Sequence, residues 1–147
     1  MDNANIKRIL MAEDDPRDVE LTLEALSQHN LANLVDVVND GAEALDYLYN
    51  RGNYADRITG NPIVVLLDLK MPRLNGIDVL RTIKSDPKLK TIPIVILTSS
   101  KEASDLKACY DLGVNAYVVK PVEFVDFMKA IKTIGAFWVI LNEVANE

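Results

Sequence analysis

Cysteine is almost absent from this chain. Cys109 stands alone, so no internal disulfide can form, and a reducing compartment suits it. Positive charge is also short: 16 Lys and Arg face 22 Asp and Glu, giving a net charge of -6 and a pI near 4.8. Nucleic acid and anionic lipid both require a basic footprint that this balance does not supply, so neither is expected as a partner. Long apolar runs are missing too, and the stretches present are too short to cross a bilayer. The opening Met1-Asp2-Asn3-Ala4-Asn5 is polar and the short run after it carries Lys7 and Arg8, so a secretory signal is not expected. These features together point to the cytoplasm. The single histidine, His29, falls at a helix end, where a basic group suits the dipole and no partners for a ligand or phosphocarrier role stand nearby.

What remains is ordinary in amount and informative in arrangement. With 49% hydrophobic and 26% charged residues over 147 positions, the chain reads as one soluble globular domain spanning 1–147, its core at about 6–142. Short apolar runs alternate with segments of helical period. Ile9-Leu10-Met11-Ala12 reads as a strand and residues 16–28 as a helix; 34–38 and 42–49 repeat the pair. Ile63-Val64-Val65-Leu66-Leu67 is the strongest strand, closed by Asp68, and is followed by a helix over 77–85 with Ile77, Leu80 and Ile83 at spacing three. Residues 94–97 and 103–112, then 116–119 and a long helix from 122 to about 142, complete five βα units. Continuous apolar strands interleaved with helices require a parallel sheet covered on both faces, and right-handed crossovers make it a doubly wound α/β sandwich. The polar stretch 50–62 is expected as a surface loop. Asp15 before Pro16 reads as a helix cap, Asp40 to Glu43 and Ser99 to Glu102 have capping-box spacing, and Asn75-Gly76 opens the third helix.

In such a sheet ligands bind beyond the carboxyl ends of the strands, where strand order reverses. Those ends carry Glu13 and Asp14, Asp68, Thr98 and Lys120: three carboxylates, a hydroxyl and an ammonium on one edge. Clustered carboxylates repel unless a cation offsets them, and a hard divalent ion such as Mg²⁺ takes oxygen ligands together with phosphate oxygens. Lys120 can reach a phosphoryl oxygen, Thr98 can hydrogen-bond the same group, and Asp68 can act as a nucleophile towards phosphorus. Taken one at a time, each has a plainer reading: Asp68 as a turn residue, Thr98 as a strand terminus, Lys120 as a solvated side chain and Tyr117 as core packing. Their conjunction favours the site. Asp15 is assigned to capping rather than to the metal, and Cys109 to helix packing.

Four stretches carry a resemblance to the bacterial response-regulator receiver family: Ile9-Leu10-Met11-Ala12-Glu13-Asp14-Asp15, Leu66 through Gly76 with Asp68-Leu69-Lys70-Met71-Pro72 at its centre, Pro93 through Ser99, and Ala116-Tyr117-Val118-Val119-Lys120-Pro121. The resemblance implies a flavodoxin-like fold with strand order 2-1-3-4-5 and five helices. It implies Asp68 as phospho-acceptor, charged by a sensor histidine kinase, with Mg²⁺ bound by Asp14 directly, by Glu13 through water, by Asp68 and by the backbone carbonyl of Lys70. It further implies switching by Thr98 and Tyr117 together, a cis Lys120–Pro121 bond, and output through a downstream protein partner rather than a DNA-binding domain. Many relatives have asparagine where Lys70 stands, so phosphoryl lifetime is expected to depart from the common value. The stretch 50–62 and Gly135-Ala136-Phe137-Trp138 are similar to the response regulators that partner phytochrome kinases, single-domain proteins that are often dimers.

The final helix leaves two readings open. Phe124, Phe127, Met128 and Ile131 make a core stripe, but Phe137-Trp138-Val139-Ile140-Leu141 is apolar all round. The excess either covers a homodimer interface or folds back over the domain. Two rival functions stand beside the switch: a metal-dependent phosphohydrolase, which would need an acid where Lys70 stands, and a receiver-like scaffold without phosphorylation, which the intact acid–Thr–Lys set disfavours.

Overall fold

A computed structural model describes residues 8–57, 60–99, 101–133 and 140. Five strands form one parallel sheet: β1 (Ile9–Ala12), β2 (Val35–Val38), β3 (Val64–Leu67), β4 (Ile94–Thr98) and β5 (Ala116–Val119). Their order is β2-β1-β3-β4-β5, so the direction of winding reverses between β1 and β3. The helices are α1 (Pro16–Ser27), α2 (Gly41–Leu48), α3 (Gly76–Ser85), α4 (Ala103–Asp111) and α5 (Phe124–Thr133).

Side chains alternate across a strand with period two, and here both faces are covered. Leu10, Ala12, Val65, Leu67, Ile94 and Ile96 point into a core closed by α2, α3 and Cys109 of α4. Ile9, Met11, Val64, Leu66, Val95 and Leu97 point the other way, into a core with Leu26 of α1 and with Phe127 and Ile131 of α5. That is why the inner strands are apolar without interruption.

The helix caps follow the sequence in three places and depart from it in one. Asp15 accepts from the Arg17 N–H at 2.9 Å with Pro16 at the first helical position, and Asn75 accepts from the Asp78 N–H at 2.9 Å. Asp40 accepts from the Glu43 N–H at 2.8 Å, while Glu43 reaches back to the N–H of Asn39, one residue earlier than a standard capping box places it. The Ser99–Glu102 spacing does not produce a capping box. Helix α4 begins after Glu102, so Glu102 itself is the N-cap and makes no side-chain capping hydrogen bond.

The 50–62 connection is more ordered than a plain surface loop. It contains a 3-10 turn (Gly52–Tyr54) and is held by Arg57, which donates to the Tyr47 carbonyl at 2.9 Å and to Asn50 Oδ1 at 2.7 Å. The Arg57 guanidinium also lies 4.1 Å from the Tyr47 ring centroid, and the Tyr54 hydroxyl donates to Glu43. Tyr47 in turn donates to Asp36 at 2.5 Å, and Asp36 also accepts two hydrogen bonds from Arg8. Burial alone would raise the Asp36 carboxyl, but the hydrogen bonds from Arg8 and Tyr47 bring it below the usual carboxylate range. Polar anchors of this kind leave no trace in hydropathy, so the stretch reads as loop from sequence.

Of the final helix, α5 presents Phe127 and Ile131 to the core with Phe124 and Met128 packed beside them. Ile140 is also buried in that core, whereas Phe137, Trp138, Val139 and Leu141 lie outside the described residues. Replacing Phe127, which is 0% exposed, with alanine is expected to cost about 3–5 kcal/mol in urea unfolding, from lost transfer energy and the cavity left behind. Leu21→Ala on the outer face of α1, where the side chain is 51% exposed, should change stability by less than about 0.5 kcal/mol.

Candidate functional site

The strand ends bring the expected residues together. The ladder continues past each strand by one backbone bond: the Asp68 N–H donates to the Ala12 carbonyl at 3.1 Å, the Lys120 N–H to the Thr98 carbonyl at 2.9 Å, and the Glu13 N–H to the Val38 carbonyl at 3.0 Å. The site residues are therefore carried on rigid extensions of the sheet. Glu13, Asp68 and Thr98 are buried, whereas Asp14 is exposed. One carboxylate oxygen from each of Glu13, Asp14 and Asp68 lies within 4.8 Å of the others.

The segment after Asp68 is fixed by close backbone approach. A Cβ at Gly76 would sit 2.1 Å from the Asp68 carbonyl oxygen and 2.7 Å from Leu69 Cα, so only glycine lets α3 begin against Asp68. The Gly76 N–H donates to the Leu69 carbonyl at 2.9 Å across this contact. Gly41 plays the same part at the other end, where a Cβ would lie 1.9 Å from the Leu74 carbonyl oxygen. Arg73 takes a left-handed φ of 64° and makes a two-pronged pair with Asp40 at 2.8 and 3.0 Å, tying the segment to the start of α2. Asp14, Leu69, Lys70, Met71, Pro72, Asn75, Ile77 and Asp105 line an open cleft of about 570 Å³ beside the acids. Lys70 is exposed at its edge.

Lys120 organises the electrostatics. Its ammonium donates to Glu13, to Asp18 at 2.9 Å and to Asp68 at 3.3 Å. Burial works against the charge, yet the hydrogen bonds to Glu13 and Asp18 and the charge of Asp68 hold the ammonium well above the usual lysine range. Burial pushes the Glu13 carboxyl up to about 7, and the Asp68 charge adds to the rise, against hydrogen bonds from Lys120 and the Asp15 N–H. Burial is the larger cause of the Glu13 rise and the Asp68 charge adds to it, while Glu13, Asp18 and Asp68 share a single ammonium and leave excess negative charge that favours a further cation. The donors are hard carboxylate oxygens at mutual distances that one ion can span, which fits an oxygen-preferring divalent metal.

Asp18 is the residue that sequence reading passes over. An acid in the first turn of α1 is explained by the helix dipole alone. Its one distinguishing signal is position, four residues after Asp14, where a helix entered at Pro16 returns to the strand ends. Tyr117 is half-buried and packs against the core on the α2–α4 side of the sheet. The Lys120–Pro121 bond is cis.

A five-stranded parallel sheet in this order, with acids, threonine and lysine on the carboxyl ends, has the architecture of a receiver domain. The chain belongs to the response regulator receiver domain family, whose sequence model matches residues 9–132. Within that family it is similar to "Response regulator Rcp1" of Synechocystis sp., 36% identical over 132 residues that span 90% of this chain and 88% of that protein. It is also similar in structure to "Bacteriophytochrome response regulator RtBRR", at 56% identity and TM-score 0.83 over 90% of this chain and 80% of that one. The bacteriophytochrome response regulator AtBRR matches at 56% identity and TM-score 0.84, over 91% of this chain and 96% of that one. A structure of the Mn(2+)-bound form of Rcp1 matches at 36% identity and TM-score 0.73, over 90% of this chain and 94% of that one. Receiver domains of this family are signalling switches of two-component systems that bind a divalent metal and work with histidine kinases.

The Glu13 shift has a definite sign. Its folded pKa lies above the unfolded value of 4.5, so the stability it contributes is present below about 4.5 and lost as pH rises through about 7. Metal-free protein should therefore melt at lower temperature at pH 8 than at pH 5.5 from this group, and Glu13→Gln should flatten that slope in scanning calorimetry. Added Mg²⁺ should raise the melting temperature more at pH 8 than at pH 6, because at the lower pH it must displace a proton.

Proposed function

We propose that Asp68 accepts a phosphoryl group from the phosphohistidine of a sensor histidine kinase, with Mg²⁺ held by Asp14, Asp68, the Lys70 carbonyl and, through water, Glu13. The observation that carries this reading is the meeting of Glu13, Asp14, Asp68 and Lys120 at one strand-end site. A carboxylate oxygen of Asp68 attacks phosphorus; the new O–P bond forms as the P–N bond breaks, and its electron pair leaves with the imidazole nitrogen. Bound Mg²⁺ supplies charge neutralisation for the incoming phosphoryl oxygens. Lys120 pairs with one of those oxygens and Thr98 donates its hydroxyl to another. The added charge draws Thr98 inward and Tyr117 follows, which changes the surface made by α4, β5 and α5.

Lys70 stands two residues after the acceptor, at the mouth of the cleft, and sets how easily water reaches the acyl phosphate. The chain acts as a cytoplasmic switch over 1–147 and signals to a downstream protein partner rather than turning over substrate. The similarity to RtBRR and AtBRR, each titled a bacteriophytochrome response regulator, supports a phytochrome kinase as the donor. Ile140 is buried in the chain's own core, and the apolar Phe137, Trp138, Val139 and Leu141 around it in sequence support a homodimer through the C-terminal helix.

Acetyl phosphate with Mg²⁺ should label the native chain once per molecule and leave Asp68→Asn unlabelled; equal labelling of that variant would remove the acceptor assignment. Lys70→Asn should change the half-life of the label by several-fold without changing the labelled residue, as followed by acid-stable gel assay. For the dimer, sedimentation velocity should show a species of twice the monomer mass that Trp138→Ala and Leu141→Ala weaken. A monomer persisting at high concentration sinks it.

A further inference from the structure

An ammonium has three N–H donors, and those of Lys120 meet three carboxylates: Glu13, Asp18 at 2.9 Å and Asp68 at 3.3 Å. Two of these acids, Glu13 and Asp68, belong with Asp14 to the set whose oxygens lie within 4.8 Å of one another. A divalent cation at that set and the Lys120 ammonium both draw on the Glu13 and Asp68 carboxylates, and as like charges they repel. Asp18 differs from the other two. It stands on α1, outside the cluster, and its side chain is 32% exposed where that of Lys120 is 11%. It is also nearer to the ammonium than Asp68 is.

We propose that Asp18 is a positioning residue that retains Lys120 when a divalent cation takes the carboxylates of Glu13 and Asp68. The lysine then keeps one anchor on α1, withdraws from the oxygens the ion needs, and stays beside the acceptor with two donors available for a phosphoryl group. Without Asp18 the ammonium has only Glu13 and Asp68 to pair with, and it competes with the metal for both. This inference rests on the reading of the site as a metal-assisted phospho-acceptor.

Two plainer roles for Asp18 make different predictions. A favourable interaction with the α1 dipole affects stability and leaves metal affinity alone. Attraction of the metal through space acts whether or not Lys120 is present. A double-mutant cycle separates them. Mg²⁺ is titrated calorimetrically into the full chain, into Asp18→Asn, into Lys120→Met and into the double variant, with folding checked by circular dichroism. Asn is isosteric with Asp, and Asp18→Ala is run beside it so that the outcome does not hang on one substitution.

With Lys120 present, loss of the Asp18 charge should weaken Mg²⁺ binding about five- to tenfold, the scale of one charge-assisted hydrogen bond. In the Lys120→Met background the same substitution should have no effect, and Asp18→Glu should restore part of the affinity. Unchanged affinity in Asp18→Asn and Asp18→Ala, or equal weakening with and without Lys120, overturns the proposal. Either result can occur with native protein that binds Mg²⁺ and is labelled at Asp68, which leaves the phospho-acceptor reading standing. Native protein that binds no Mg²⁺ overturns both.

Discussion

Repulsion among carboxylates at the end of β1 and β3 is the constraint around which this molecule is arranged. Two full charges 4.8 Å apart repel by about 3 kcal/mol at an effective dielectric of about 20, and several such pairs coincide here. A fold tolerates that only with compensation, and Lys120 provides it by meeting three acids at once. The compensation is incomplete, since one ammonium cannot neutralise four carboxylates. The rise of Glu13 towards neutrality comes first from its burial, and the nearby Asp68 charge adds to it. A site left with excess negative charge has affinity for a cation built into it, and on the proposed reading a metal bound there would make an otherwise repellent acid accessible to a phosphoryl group.

Holding like charges together requires a scaffold that does not relax. The inner strands are buried on both faces, so shifting one would open a cavity in two cores. The segment after Asp68 has its own restraint: α3 begins in contact with the Asp68 carbonyl through Gly76, and α2 begins in contact with Leu74 through Gly41. Arg73 completes the clamp from a left-handed backbone conformation, and its pair with Asp40 joins the start of α2 to the segment that follows Asp68. The same Asp40 caps α2, so one carboxylate both starts a helix and secures the site's flank.

The parts of this design that depend on burial are legible in the sequence. Alternation of apolar strands and helical stripes reports the sheet and its two layers, because each strand must satisfy two cores. The site acids are legible because an acid closing an apolar strand is conspicuous. Interactions between polar groups far apart in sequence are not legible. Asp18 reads as a helix-dipole acid, and nothing local reveals that Lys120, 102 positions later, comes to meet it. Arg57 in the 50–62 connection is equally hidden, since its partners include the backbone carbonyls of Tyr47 and Gly60, an amide and a ring face. The spacing Ser99 to Glu102 matches a capping box and fails to be one because the chain delays helix α4 until after Glu102.

Hydrolytic enzymes and switches can share an aspartyl phosphate on a parallel sheet, and what divides them is the fate of the acyl phosphate. Turnover calls for an acid placed to protonate a leaving group and for easy entry of water. Two residues beyond Asp68, where such an enzyme carries a second carboxylic acid, this chain has Lys70, exposed at the edge of the cleft beside the acids. On the proposed reading, an exposed cation at this position lies beside the route of the attacking water and favours a phosphoryl group that stays long enough to be read by a partner; storage of that charge is then what makes a change in surface useful as a signal.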